Sequence, residues 1–430
     1  MRAPPRRYGF GALWLGQSLS LAGTQVGALA LPLVAVVSLD ADSGQLGVIG
    51  ALRYLPFLLF ALPLGPSVDR GDRRRMMLVA DVARAALVLT VPVLYALGEL
   101  RLWWLYVVPF LTGAFQVVFE TACQAFVPQL VGRKRLTRAN RNLQASQSAA
   151  DLGGPGLGGL ICGAVGAPVA LLFDAFSFAF SAATLALIKS PGRPEARSPA
   201  AGPREAVRSW WAEVRAGLAF VLGQAELRAL VVETAIFNAC EQGMMVIYLV
   251  YAVRELGFSP VLLGLSLAAA GIGAMIGTFF SEGASARIGL GPTVVVGSVL
   301  GCASYLLVPA ATGDRAAVFG TVCAGFAISG ISIGLSNVLQ VSLRQALTPD
   351  SLSGRTTASF RFVAYGTVPI GTLLGGVLGE AIGLRSALWV MSTALLLGPL
   401  AIICSPLPRR RELPATEPEE RSKSLFDSRS

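Results

Sequence analysis

The sequence predicts an all-α integral membrane protein: twelve transmembrane helices in two six-helix, pseudo-symmetric halves. Three observations predict it: an apolar composition, a one-sided distribution of basic residues, and an internal echo at half the chain length. Of 430 residues, 54% are hydrophobic and 14% charged, where soluble domains carry about 25% charged. Spanning segments must be helical, because lipid offers a backbone no hydrogen-bond partners, and each needs roughly 20 apolar residues. The opening MRAPPRRYGF runs into an apolar segment too long for a signal-peptide core, so no cleavable signal is expected.

The first six spans fall at about 10–38, 46–67, 76–97, 103–127, 140–164 and 168–188. The second six fall at about 227–253, 260–282, 291–311, 316–340, 356–380 and 385–404. The N-terminal half is thus 1–188 and the C-terminal half 227–404. Between them, 189–226 is a cytoplasmic linker: KSPGRPEARSPAAGPREAVR is rich in Pro, Ala and charge. SWWAEVRAGLAFVL follows, with Trp210 and Trp211 beside charges, as in a short amphipathic helix at the membrane interface. The tail 405–430 is expected to be disordered and cytoplasmic.

Alternate connections, starting at the N-terminus, hold 27 of the 35 Lys and Arg, and the opposite connections hold only Arg101, Arg254, Arg315 and Arg385. By the positive-inside rule both termini and the linker are cytoplasmic, at an inner (plasma) membrane. The net charge of +10 is therefore a topology signal. No basic stretch is interleaved with aromatics, so nucleic acid is not an expected partner. The second half echoes the first: QAFVPQLVGRKRLTRAN recurs loosely as QVSLRQALTPDSLSGRTT, and GGPGLGGLI aligns with TVPIGTLLGGVL, setting Pro155 against Pro369. Parallel six-helix repeats are a transporter architecture, with the solute site near midplane between the halves.

Enzymatic readings fail on residue type. The chain has no histidine, which removes the usual general base and the commonest metal ligand together. Gly330-Ile-Ser332-Ile-Gly334 matches a nucleophile elbow, but no Ser-His-Asp set can be assembled around it. A GxGxxG at Gly154 to Gly159 sits inside an apolar span with no preceding strand, so a dinucleotide site is excluded, and there is no Walker A sequence. The six cysteines all lie in apolar segments, none in a CxxC pair, and read as packing residues. No metal or cofactor is expected.

Two stretches carry a family resemblance. GPSVDRGDRRR, Gly65 to Arg75, connects spans two and three. Three arginines in a row suffice as a stop signal, but Gly65 and Asp69 exceed that need. The stretch resembles the loop signature of the major facilitator superfamily, with Gly65, Asp69, Arg70, Arg73 and Arg74 in register, while Ser67 and Asp72 depart from it. The resemblance implies that the glycine permits close helix approach and the aspartate latches the cytoplasmic side. A carboxylate at a helix N-terminus is worth about 0.3–1 kcal/mol, enough to bias states a few kcal/mol apart. In span five, Gly154-Pro155-x-x-Gly158-Gly159 is similar to the GPxxGG of the drug:proton antiporter branch; generic small-residue packing is the alternative. LWLGQSLSLAGTQVGALALPLV and VPQLVGRKRLTRAN look like bacterial exporters of the enterobactin-exporter-like group, although Thr24 stands where relatives commonly carry an aspartate and span four lacks an arginine many antiporters place there.

Ionisable residues within spans are functional candidates, because each is expensive in hydrocarbon. At 1.5 Å rise per residue, Asp151 and Glu241 lie roughly 18–21 Å inside their spans, and Glu120 lies nearer the cytoplasmic end of span four. These three are the proton-coupling candidates, Glu241 first; the alternative for Glu241 is pairing with a basic residue across the interface. Arg53 and Asp174 lie at similar depth and are expected to form an ion pair, while Asp81 and Arg84 suggest pairing with the nearby loop. In the family the first, fourth, seventh and tenth helices line the cavity, which assigns Gln17, Gln116, Asn238, Gln242 and Tyr248 to it. The resemblance implies a monomeric secondary transporter working by alternating access, coupling the proton gradient to efflux of a small, partly hydrophobic molecule such as a drug, siderophore or secondary metabolite. A metabolite importer or facilitator on the same fold is the alternative, and a non-transporting membrane sensor a more distant one.

Overall fold

The structure, a computed structural model, describes residues 8–60, 71–132, 135–188, 208, 215–349 and 352–412. The N-terminal half comprises α1 (Tyr8–Leu33), α2 (Ser43–Phe60), α3 (Arg73–Ala96), α4 (Leu102–Val131), α5 (Leu136–Val165) and α6 (Ala167–Leu187). The C-terminal half comprises α7 (Ala225–Arg254), α8 (Pro260–Ile288), α9 (Leu290–Ser304), α10 (Arg315–Leu347), α11 (Ser353–Ile382) and α12 (Leu384–Leu395). Short helical turns extend α9 (Leu307–Ala310) and α12 (Leu397–Ile403), and α1 runs on through a π-helical turn, Val34–Ser38.

Eleven of these elements, among the described residues, are long and apolar enough to cross a membrane. The twelfth, α5, has 30 residues but carries Arg138, Arg141, Asn142, Gln144 and Gln147 in its first half and Asp151 just beyond. Its polarity is local, and its position in the bundle is that of a span. Helix starts follow from the sequence: Asp72, Ser259 and Asp314 each cap a first turn with a side-chain oxygen, accepting from Arg75, Leu262 and Ala317 backbone N–H respectively. Asp72, a departure from the loop signature, therefore has a local task of its own.

The two halves share a plan. α5 meets α6 at Gly166 (φ +84°), and α11 meets α12 at Gly383 (φ +83°). Each is a single residue in a conformation that costs glycine little. Within the first half, α1 packs on α5 and α6, α2 on α4, and α3 on α4 and α6. The second half repeats this, with α7 on α11 and α12 and α8 on α10.

The halves meet along two seams, α2 with α11 and α5 with α8. Both are built on glycine. A Cβ added at Gly47 would stand 2.6 Å from the Thr372 carbonyl oxygen, and one at Gly376 would stand 2.7 Å from the Ser43 carbonyl oxygen. In the other seam, a Cβ at Gly159 would lie 2.7 Å from Gly264 Cα, and one at Gly264 would lie 2.6 Å from the Pro155 carbonyl oxygen. Backbone-to-backbone approach maximises dispersion contact where no hydrophobic effect drives association. Gly264→Leu is accordingly expected to force α5 and α8 apart and abolish transport at normal expression, whereas Gly223→Ala, with nothing within 4 Å of the new atom, should transport normally. A flux assay on both variants checks this.

Candidate functional site

The end of the molecule holding the α1–α2 and α7–α8 connections is sealed. There Arg254 of α7 donates to Asp40 at 2.6 Å and to the Ala41 carbonyl at 3.0 Å, tying one half to the other. Ser43 Oγ donates to the Gly376 carbonyl at 3.1 Å. Along α5–α8 the close contacts run from Gly163 against Val261 down to Leu152 against Gly271. Along α2–α11 they run as far as Phe57, stacked on Tyr365 with centroids 5.2 Å apart. The opposite end, where α3 begins and α4 and α10 finish, carries the basic connections.

Of the loop signature, Gly65, Asp69 and Arg70 lie outside the described residues, as do Trp210, Trp211 and most of the linker and tail. Arg73 and Arg74 lie within them. Arg74 donates to the carbonyls of Leu185 (2.8 Å) and Ala186 (2.6 Å), the last turn of α6, where carbonyls have no intrahelical partner. Arg73 donates to Ala125 of α4 at 3.2 Å. Both thus brace α3 against its own half. The glycine-proline motif lies where three helices converge: Gly154 faces Gln25, Gly158 faces Val26 and Leu29 of α1, and Gly159 faces α8.

A charged chain runs through the N-terminal half. Arg84 is 2% exposed, with its guanidinium 4.6 Å from the Phe119 ring centroid and 4.4 Å from that of Phe178. It donates to Asp81 and to the Gln116 side-chain oxygen. The other end of that amide donates to Glu120 Oε1 at 2.8 Å. Gln116 is therefore held between a cation at its oxygen and an anion at its nitrogen, the arrangement that satisfies both ends of an amide. Asp81 and Arg84 pair with each other, and Arg84 with Gln116; the loop with which they were expected to pair lies outside the described residues.

The other candidates separate into three groups. Asp151 accepts from Gln147 (2.9 Å) and from Gln25 of α1 (2.5 Å). Glu241 accepts from its neighbour Gln242 at 2.7 Å, and Asn238 donates to the Ala364 carbonyl of α11 at 3.1 Å. Gln17 accepts a long bond from the Cys123 thiol at 3.6 Å. No Lys or Arg among the described residues forms an ion pair with Glu241.

Two expectations need correction. Arg53 and Asp174 form no salt bridge: α2 packs on α4 and α11 while α6 packs on α1 and α3, so equal depth does not bring the two side chains into contact. Arg53 instead lies 6.0 Å from the Tyr54 ring centroid, and Asp174 stands beside Gly27 of α1. Tyr248 does not line a cavity. It is 1% exposed, bonded to Ser266 Oγ at 2.6 Å and edge-on to Phe326. It shares a helix face with Glu241 but lies two turns nearer the sealed end, where the helices have closed. Two further ionisable residues stand outside the expected set: Glu233, a buried carboxylate on α7, and Arg361, 5.8 Å from the Tyr365 ring. Both were detectable as ionisable residues within or near spans. A cavity of about 550 Å³ between α3 and α4, lined by Asp72, Met76 and Phe115, brings together none of the coupling candidates.

The family model described as transmembrane secretion effector, MFS_3, matches residues 1–427. The chain belongs to the major facilitator superfamily. Among curated proteins it is 26% identical over 407 residues to the multidrug efflux pump Tap of Mycobacterium tuberculosis, covering 92% of both chains. It is 22% identical over 412 residues to macrolide efflux protein A of Streptococcus pyogenes, covering 94% of this chain and 97% of that one. Among solved structures, a bacterial homologue of the human lysosomal transporter Spinster, inward-facing and occupied, superposes with a TM-score of 0.71 at 14% identity, covering 96% of this chain and 98% of that one. A bacterial homologue of the iron transporter ferroportin, also inward-facing, gives 0.68 at 18% identity, over 92% and 97% of the two chains. These last two carry the fold alone. This superfamily member is a multi-pass membrane protein built as its family of transporters is.

Proposed function

We propose that this chain is a drug exporter of the major facilitator superfamily, moving a small, partly hydrophobic molecule out of the cell in exchange for protons. The observation that carries the reading is the match, over about nine-tenths of each chain, to proteins named as multidrug and macrolide efflux pumps. The geometry agrees: two halves joined by glycine seams and pinned together at one end by Arg254 and Asp40 are suited to rocking about a central site. On this reading the basic end faces the cytoplasm, both termini lie there, the membrane is the plasma membrane, and the open side receives substrate from within. Each chain works as a monomer. Asp69 of the loop latches the cytoplasmic side in the alternate state.

The test is flux with direction. Inverted vesicles from a host lacking its own exporters should accumulate a macrolide when their interior is acidified, and a protonophore should stop it. Accumulation confined to right-side-out vesicles would make the protein an importer. Orientation is checked separately, in a background carrying Cys404→Ser. Gly223→Cys should react with an impermeant maleimide only from the cytoplasmic side, and Leu97→Cys, 68% exposed, only from outside. Reversed labelling would invert the topology.

A further inference from the structure

At the sealed end α7 and α10 touch through Tyr248 and Phe326, whose ring centroids are 5.0 Å apart. Towards the basic end these helices part, and α9 closes the gap behind them. The result is a cleft of about 240 Å³ whose walls include Glu233, Phe237, Asn238, Ser298, Ser336 and Asn337. Glu233 is 8% exposed, and its Oε1 accepts from Ser298 Oγ at 3.1 Å. No Lys or Arg among the described residues forms an ion pair with it. Ser336 belongs to the same wall, but its Oγ is turned onto Gly297 of α9, so the amide side chains of Asn238 and Asn337 are the neutral polar groups left to the space.

The chemistry of the walls selects the occupant. One carboxylate, several neutral oxygen acceptors and an aromatic face suit a cation that donates N–H bonds. An anion would meet Glu233 with no opposing charge. A bare metal ion would find a single carboxylate in a space many times its own size, and among the described residues no group of three acidic or cysteine ligands exists. We propose that this cleft binds an organic ammonium group, with Glu233 as its counter-ion and the amide oxygens of Asn337 and Asn238 as acceptors. Its use for the cationic end of an exported molecule rests on the export reading; the binding does not.

The probe is benzylammonium chloride, titrated into the purified full-length chain in nanodiscs while the melting temperature is followed. Benzyl alcohol serves as the neutral analogue, and sodium chloride against potassium chloride as the inorganic control. Benzylammonium should stabilise the protein saturably and benzyl alcohol should not. Glu233→Gln should weaken binding about tenfold or more, the scale of a lost charge-assisted bond. Asn337→Leu should weaken it less, and it carries the test if Glu233→Gln does not fold. Unchanged affinity in these variants, equal stabilisation by benzyl alcohol, or saturable stabilisation specific to sodium would overturn the proposal. Glu233-dependent binding in a chain that exports no drug would uphold the site and overturn only the export reading.

Discussion

Glu241→Gln is expected to retain exchange of pre-loaded substrate while losing uphill efflux driven by a pH gradient. The expectation rests on position and neighbours. Glu241 lies on α7 about 24 Å from the start of the helix at 1.5 Å per residue, and its carboxyl accepts from Gln242 at 2.7 Å. With no basic partner among the described residues, it lacks the ion pair that would give it a purely structural task. A charge at that depth is costly, and a bound proton removes it. Taking up that proton in one orientation and releasing it in the other is the step that draws on the gradient. Glutamine copies the neutral form, so the two halves still rock with substrate bound, but the step that consumes the gradient is gone. Gradient-driven efflux should fall to background in proteoliposomes, with counterflow within about twofold of the parent, a change under 0.5 kcal/mol. Parental gradient-driven efflux would move the coupling role to Glu120 or Asp151.

Arg84→Leu is expected to destabilise the protein more than any other single change discussed above. The guanidinium is buried between Phe119 and Phe178 and serves Asp81 and Gln116 at once. Removing it strands the Asp81 carboxyl, which is 0% exposed, and breaking one side of such a pair costs about 3–5 kcal/mol. Adding Asp81→Leu to the variant should recover a large part of the loss, because the stranded charge goes with it. Thermal melts of the two variants and the parent in detergent decide the matter. A double variant no more stable than Arg84→Leu would mean that the aromatic stacking, not the ion pair, dominates.

These cases mark how far the residues could be read unaided. Apolar runs gave the spans, and the Pro155–Pro369 alignment found a repeat whose clearest structural sign is the matched pair Gly166 and Gly383. Rise per residue gives depth, and depth sufficed to single out Glu241 and Asp151. It does not say which helix stands against which, and Arg53 and Asp174, on helices that do not pack together, make no direct bond. Nor could depth alone show that the face shared by Glu241 and Tyr248 opens at one level and closes two turns on. Gln116 was placed on the cavity by its helix number, whereas its neighbours Arg84 and Glu120 determine its task. Asp72 is readable as an N-cap from its place before Arg73, a local role that the loop motif it departs from does not suggest.

The glycine seams have a mechanical consequence. A joint between interlocking side chains turns by lifting each knob from its hole, and every rotamer that must change adds to the barrier. Where Gly159 slides on Gly264 and Gly47 on Gly376, the bearing surfaces are bare main chain, smooth on the scale of a methyl group. At these four residues the pivot has no side chain to unlock. The side chains that must move lie elsewhere along the seams and at either face, among them Phe57 on Tyr365 and the latch of Arg254 with Asp40. Fine tuning of turnover is therefore to be sought at those side chains, while the axle itself tolerates almost no added atom.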